Sequence, residues 1–306
     1  MRTCVLLIFT LLGWAQHVVA GVTPWVDFEI RDGHVLIPTS IEGIDGMSLI
    51  DTGAQVSFIE RSFMRLHNLK FGNGRPMKIM GVGSSEMRKT FSNVPVRIMG
   101  TELNFKVLVE GKLLNDTQLL IGGDFLSQLY FQFDYPNKRF RGITRDTFEL
   151  KKIRNVESKL DPATRQPMVK VRLNDEKDVW LVMDTGNSGG VLLKRRVATR
   201  RGWLDEFDTE VNSARGVVGA LDVETFRLPV LAIGPYDVKN ARVTVPQEGK
   251  RFDIFQRQRG LSDIRSKTQG LLGYDVWKNF LVTIDYRSGA LFIEIPQKAE
   301  ADEPAS

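Results

Sequence analysis

The sequence predicts a mostly β protein made of two duplicated, β-barrel-like lobes with short helices. Three observations carry that prediction. An apolar run, Met47-Ser48-Leu49-Ile50, stops at Asp51-Thr52-Gly53-Ala54, and a second, Trp180-Leu181-Val182-Met183, stops at Asp184-Thr185-Gly186-Asn187. Short strand-like runs separated by Gly, Asp and Asn turn signals fill much of the remaining chain. The halves also match in order. Asp184 follows Asp51 by 133 residues, Glu248-Gly249-Lys250 follows Glu110-Gly111-Lys112 by 138, and Thr268-Gln269 follows Thr117-Gln118 by 151. Gly273 after Gly122 and Asp285-Tyr286 after Asp134-Tyr135 keep that last offset of 151. Ordered similarity with growing offsets means duplication with insertions in the second copy.

In chain order, residues 1–20 read as a cleavable export signal: Arg2 is a positive n-region, Cys4 to Ala15 is an apolar stretch too short to span a bilayer, and Val18-Val19-Ala20 offers small residues before Gly21. The expected location is therefore periplasmic or secreted, with no stable membrane insertion after cleavage. The first lobe, 21–143, opens with tight turns expected at Asp32-Gly33 and Asp45-Gly46. A short helix is expected within Ser57 to Leu69, with Ser62 as a possible cap. Ile79 to Met87 reads as a hairpin with a glycine-rich tip. Strands follow at Val94 to Met99 and Leu103 to Val109, then the buried run Leu119-Leu120-Ile121 into Gly122 and a short helix. Phe131 to Phe140 closes the lobe around a Tyr135-Pro136-Asn137-Lys138 turn. Residues 144–166 are charged and poorly periodic, a linker candidate. The second lobe spans 167–297 and repeats the pattern, and 298–306 is expected to be a disordered tail.

Composition narrows the chemistry. Among 306 residues there are 42 basic and 37 acidic side chains, a formal net charge of +5 spread along the chain, which reads as a solvated surface rather than a nucleic-acid footprint. The basic insertion 251–267 reads as a solvated loop. Cys4 is the sole cysteine and leaves with the signal, which excludes disulfides, thiolate nucleophiles and cysteine-ligated metals from the mature chain. His34 and His67 are isolated in the sequence and read as surface or packing residues, so no metal and no cofactor is expected.

What remains is a pair of carboxylates at strand ends. Each stands on a turn that glycine accommodates, and two such turns can face each other. Two carboxylates in contact cannot both ionise easily, so they share a proton and titrate as a unit.

With two Asp-Thr-Gly turns, each followed by an apolar-apolar-Gly strand (Leu120-Ile121-Gly122 and Leu271-Leu272-Gly273), the sequence resembles the aspartic proteases, retropepsin-like and pepsin-like, over roughly residues 33–295. The resemblance implies a bilobal acid-protease fold in a single, monomeric chain. It implies that Asp51 and Asp184 meet between the lobes and activate a water against the peptide carbonyl, with peptide or protein as substrate and no covalent intermediate. Thr52 and Thr185 would cross-brace the two loops, Gly53 and Gly186 would bring amides to the carboxylates, and Gly122 and Gly273 would be structural. Gly81, Val82 and Gly83 match the position of the family's flap, and Gly216, Val217 and Gly219 offer a second. Neither tip has the tyrosine of a pepsin-type flap, so the retropepsin analogy is closer. Ala54 supplies no hydroxyl to Asp51, and the amide of Asn187 is expected to bond to the dyad or crowd it. The competing reading is a catalytically silent relative whose cleft binds peptide or envelope polymer.

Overall fold

The computed structural model describes residues 21–80, 85–113, 116–215, 220–251 and 266–296. It is mostly β, with six short helices among the described residues. The expected signal, the tail, and most of the basic insertion lie outside the described residues.

Each Asp-Thr-Gly turn is set by the same weave of four strands. In the first lobe His34–Ile41 pairs antiparallel with Ile44–Ile50, and Leu119–Ile121 then inserts parallel to Ile44–Ile50 and antiparallel to Phe58–Glu60. In the second lobe Pro167–Leu173 pairs antiparallel with Lys177–Met183, and Gly270–Leu272 inserts parallel to it and antiparallel to Val191–Leu193. Parallel insertion buries a strand on both faces, which is why Leu119-Leu120-Ile121 and Gly270-Leu271-Leu272 carry no polar side chain. Alternation sorts these strands between two environments. Ile37, Ile50, Leu119 and Ile121 enter the main core, while Leu36, Leu49 and Leu120 join a smaller cluster with Phe58 and Ile79. The second lobe repeats the division, with Leu181, Met183 and Leu272 in the main core and Met168, Val182 and Leu271 in a third cluster.

A five-stranded sheet joins the halves. Tyr130–Asp134 and Arg139–Ile143 from the first half continue into Leu281–Asp285 and Ala290–Glu294 from the second, through antiparallel pairing of Gln132 with Thr283 and Phe133 with Val282. Phe131, Phe133 and Phe140 stack beneath it with centroids 5.1 Å apart in successive pairs.

Several local expectations need correction. The turn after Ile41 falls at Glu42-Gly43, where both residues have positive φ (51° and 76°), while Asp45 and Gly46 lie within the next strand. Two adjacent left-handed residues make the turn whose twist matches a two-residue hairpin, and the side chain of Gln118 packs where a side chain on Gly46 would stand. The helix is confined to Arg61–Leu66, because Phe58–Glu60 is drawn into the sheet; Glu60, not Ser62, is the N-cap, accepting from the Ser62 amide at 2.9 Å. The expected strand Leu103 to Val109 is two strands, Thr101–Phe105 and Leu108–Gly111. Within 144–166 the chain forms a short helix, Leu150–Ile153, and a strand, Ser158–Leu160, that pairs with Pro167–Leu173 of the second lobe.

Candidate active site

The two turns leave their strands in the same way. The Asp51 amide donates to Ile121 O at 2.9 Å and the Asp184 amide to Leu272 O at 3.0 Å, so each aspartate is held by the inserted strand beside it. Next in each turn is a threonine whose hydroxyl crosses to the other lobe. Thr52 Oγ1 donates to Met183 O at 2.8 Å and accepts from the Thr185 amide at 3.0 Å; Thr185 Oγ1 donates to Ile50 O at 2.7 Å and accepts from the Thr52 amide at 3.0 Å. Both threonines are buried, and the four bonds satisfy backbone groups that no strand reaches.

The glycines let the turns meet. A methyl group at Gly53 would stand 2.4 Å from Asp184 Oδ1, and one at Gly186 would stand 2.5 Å from Asp51 Cγ, so each aspartate occupies the space that a side chain on the opposite glycine would need. Backbone amides point at the carboxylates: Gly53 and Ala54 donate to Asp51 Oδ1 at 2.8 and 3.0 Å, and Gly186 donates to Asp184 Oδ1 at 2.9 Å. The two carboxyl groups stand against each other across these glycines.

This geometry raises the proton affinity of both carboxyls. Burial raises the proton affinity of Asp51, and that rise is opposed by the bond to Asp184, by the Gly53 and Ala54 amides and by the charge of His34. Asp184 is pushed well above the ordinary carboxylate range by burial, then by the negative charge of Asp51 and by their mutual bond, against the amides of Gly186 and Asn187. The two carboxyls therefore share one proton and titrate as a unit, with the proton affinity of both raised.

Gly122 and Gly273 lie under the turns. A side chain at Gly122 would meet Val56 O at 2.6 Å and one at Gly273 would meet Asn187 O at 2.3 Å, so both keep the inserted strand against the loop. Asn187 does not crowd the dyad with its amide. Its Oδ1 accepts from the Gly189 amide at 3.0 Å and its Nδ2 donates to Gly190 O at 3.1 Å, so the side chain closes its own loop, and only its backbone amide reaches Asp184. The first lobe uses another solution at the same place, where Ser57 Oγ donates to Asp124 Oδ1 at 2.6 Å and accepts from the Gly122 amide at 2.9 Å. The expected flap residues Gly81, Val82, Gly83, Gly216, Val217 and Gly219 lie outside the described residues. The described arms leading to them are Met77–Met80 paired with Ser85–Arg88, and Glu210–Arg215 paired with the start of Ala220–Ile233.

Three contributors were not legible as functional from the sequence. His34, read there as a surface or packing residue, is buried with Nε2 3.1 Å from Gly186 O. Gln166 bonds to Gly53 O from the other side. Asp161, fully buried, accepts from the Ala163 and Thr164 amides at 2.9 Å and from Ser266 Oγ and the Lys267 amide at 2.8 Å, fixing the loop that presents Gln166. The internal repeat could have pointed to His34 and Gln166 by position, but their unlike side chains hide the match.

Among the described residues no group of three or more His, Cys, Asp or Glu side chains is arranged to hold a metal ion. Nor is any described helix long and apolar enough to cross a membrane.

Residues 37–128 match a family model described as "gag-polyprotein putative aspartyl protease", and residues 169–276 match a second, described as "Aspartyl protease". A search of curated proteins returns no match. Each model covers one lobe and contains one of the two Asp-Thr-Gly turns, and the chain belongs to the aspartic protease family, of the retropepsin-like kind.

Proposed function

We propose that the protein is an exported aspartic endopeptidase that hydrolyses peptide bonds with the Asp51/Asp184 pair. The observation that carries this reading is the meeting of the two turns: each aspartate fills the space a side chain on the opposite glycine would need, and backbone amides of its own turn point at it. The ionised member of the pair, as base, takes a proton from a water, which attacks the scissile carbonyl. The protonated member, as acid, donates its proton to the carbonyl oxygen as the tetrahedral species forms. No protein–substrate bond forms, so the reaction needs no serine or cysteine nucleophile.

The substrate is a peptide or protein chain. The apolar clusters around Leu49 and Val182 stand beside the two aspartates, because each residue lies two positions before its aspartate and so shares its face of the strand. Apolar side chains on either side of the cleaved bond suit these surroundings. The glycine-rich segments 81–83 and 216–219 are the proposed flaps. The signal-like sequence pattern of residues 1–20 supports a periplasmic or secreted location, and a single chain with both half-sites supports a monomer.

The test is cleavage of a mixed peptide library by the purified mature protein, compared with Asp51→Asn and Asp184→Asn. Cleavage by the wild type, abolished by either substitution and by a transition-state-mimicking inhibitor, is expected. Activity that survives both substitutions overturns the dyad. Peptide binding without cleavage supports the silent peptide-binding module instead.

A further inference from the structure

The catalytic glycines have three attachments each, and the third is unexplained by the chemistry above. The N–H of Gly53 or Gly186 bonds to the aspartate of its own turn, and its α-carbon abuts the aspartate of the opposite turn. Its carbonyl is gripped by a side chain of the opposite lobe: His34 Nε2, carrying its hydrogen, on Gly186 O at 3.1 Å, and Gln166 Nε2 on Gly53 O.

These two side chains occupy equivalent places. The hairpin ladder of the first lobe ends at Leu36 opposite Leu49, two residues short of both His34 and Asp51. That of the second ends at Met168 opposite Val182, two residues short of both Gln166 and Asp184. Each grip is backed by a second contact of its own loop. Gly33, with φ of 80°, packs so closely on the second turn that a side chain there would meet Ser188 O at 2.7 Å, and the Gln55 side chain donates to Thr164 O.

We infer that His34 and Gln166 are a matched pair of positioning residues, each lobe using one of them to clamp the catalytic glycine of the other and so fix the spacing of the two aspartates. The inference rests on the proteolytic reading for its kinetic consequence but not for its geometric one. A glycine between two catalytic carboxyls has no side chain to anchor it, so its peptide plane is held only through its N–H and C=O. Releasing the carbonyl lets the plane turn, and the amide aimed at the carboxylate turns with it. The pair also differs in kind, imidazole against carboxamide, but both present one N–H to a carbonyl, so a glutamine should serve at position 34.

The experiment uses His34→Ala, Gln166→Ala and His34→Gln in the mature chain, with thermal midpoints to verify folding. One arm measures kcat and KM on a peptide substrate. The other follows the two dyad carboxyls by carbon-13 NMR across pH, which requires no turnover. Both alanine variants are expected to lower kcat by about 10–100-fold with KM changed by less than about threefold, the signature of a misplaced reacting group rather than lost binding. They are also expected to narrow the gap between the two carboxyl titrations, because separated carboxyls interact less. His34→Gln is expected to restore kcat, while the gap is read in Gln166→Ala, which removes no charge from beside Asp51. The inference is overturned if Gln166→Ala keeps the wild-type gap between titrations, or if His34→Gln keeps the lowered kcat of His34→Ala. If the wild-type protein does not cleave peptide, the proteolytic reading fails while the NMR arm still decides the clamp.

Discussion

Asp184 illustrates how much a single side chain owes to what surrounds it. Its sequence neighbours are ordinary turn residues, yet burial and the adjacent Asp51 charge hold it protonated well above the usual carboxylate range. Burial raises Asp51 too, against its partner and the Gly53 and Ala54 amides, which stabilise the anion. The proposed mechanism needs one carboxyl of the pair ionised and the other protonated, so the acid limb of the pH–rate profile follows the lower apparent value of the pair and the basic limb the higher. The optimum is expected between them, less acidic than ordinary carboxyls would set, and a kcat/KM profile peaking below about pH 3 would contradict it. Stability carries the same sign. A carboxyl with a raised folded pKa binds its proton more tightly in the native state, so it contributes stability below the unfolded carboxylate value. That contribution is lost as pH rises from there through the folded value. Asp184→Asn removes the ionisation, so its thermal midpoint, measured by circular dichroism, is expected to exceed that of the wild type increasingly as pH rises, while cleavage disappears.

At the scale of elements, the two turns are one structure. Four hydrogen bonds through Thr52 and Thr185 run between lobes, and each hydroxyl both donates and accepts. Thr185→Val keeps the shape and removes the hydroxyl, leaving Ile50 O and the Thr52 amide buried without these partners. The expected cost is about 1–3 kcal/mol for each unsatisfied group, read from denaturant unfolding, with kcat falling as well because the turns can separate. The same logic explains why Asn187 is tolerated. Its amide closes its own loop through Gly189 and Gly190, and Gly190 O accepts from the Gly273 amide as Ser57 Oγ accepts from the Gly122 amide in the first lobe, so a larger side chain fills a structural place while its amide bonds away from the dyad.

Over the whole molecule, the lobes are tied at two levels, the threonine and clamp contacts at the site and the shared five-stranded sheet beneath. The sheet depends on Phe131, Phe133 and Phe140, all of them buried. Phe133→Ala is expected to destabilise the protein by about 3–5 kcal/mol, because the cavity lies in a layer closed on both sides. Since this strand pairs directly with Leu281–Asp285, the loss should reduce activity at temperatures where the fold persists, measurable as a lowered temperature optimum for cleavage.

By itself the sequence determined that the chain is duplicated and mostly β, that each half ends an apolar strand on Asp-Thr-Gly, and that Gly122 and Gly273 recur at matching places. Those features are local patterns, and the physics that imposes them, strand burial and turn geometry, acts over a few residues. Turn placement was less legible, since Asp45-Gly46 and Glu42-Gly43 both carry glycine after an acidic residue, and the choice fell to the packing of Gln118 over Gly46. Only the tertiary structure decided which side chains serve the dyad from a distance. His34 and Gln166 share no residue type, and Asp161 lies in a charged stretch that reads as a linker. Their significance comes from which carbonyls and amides they reach across the two lobes, and such contacts exist only once both lobes have folded against each other.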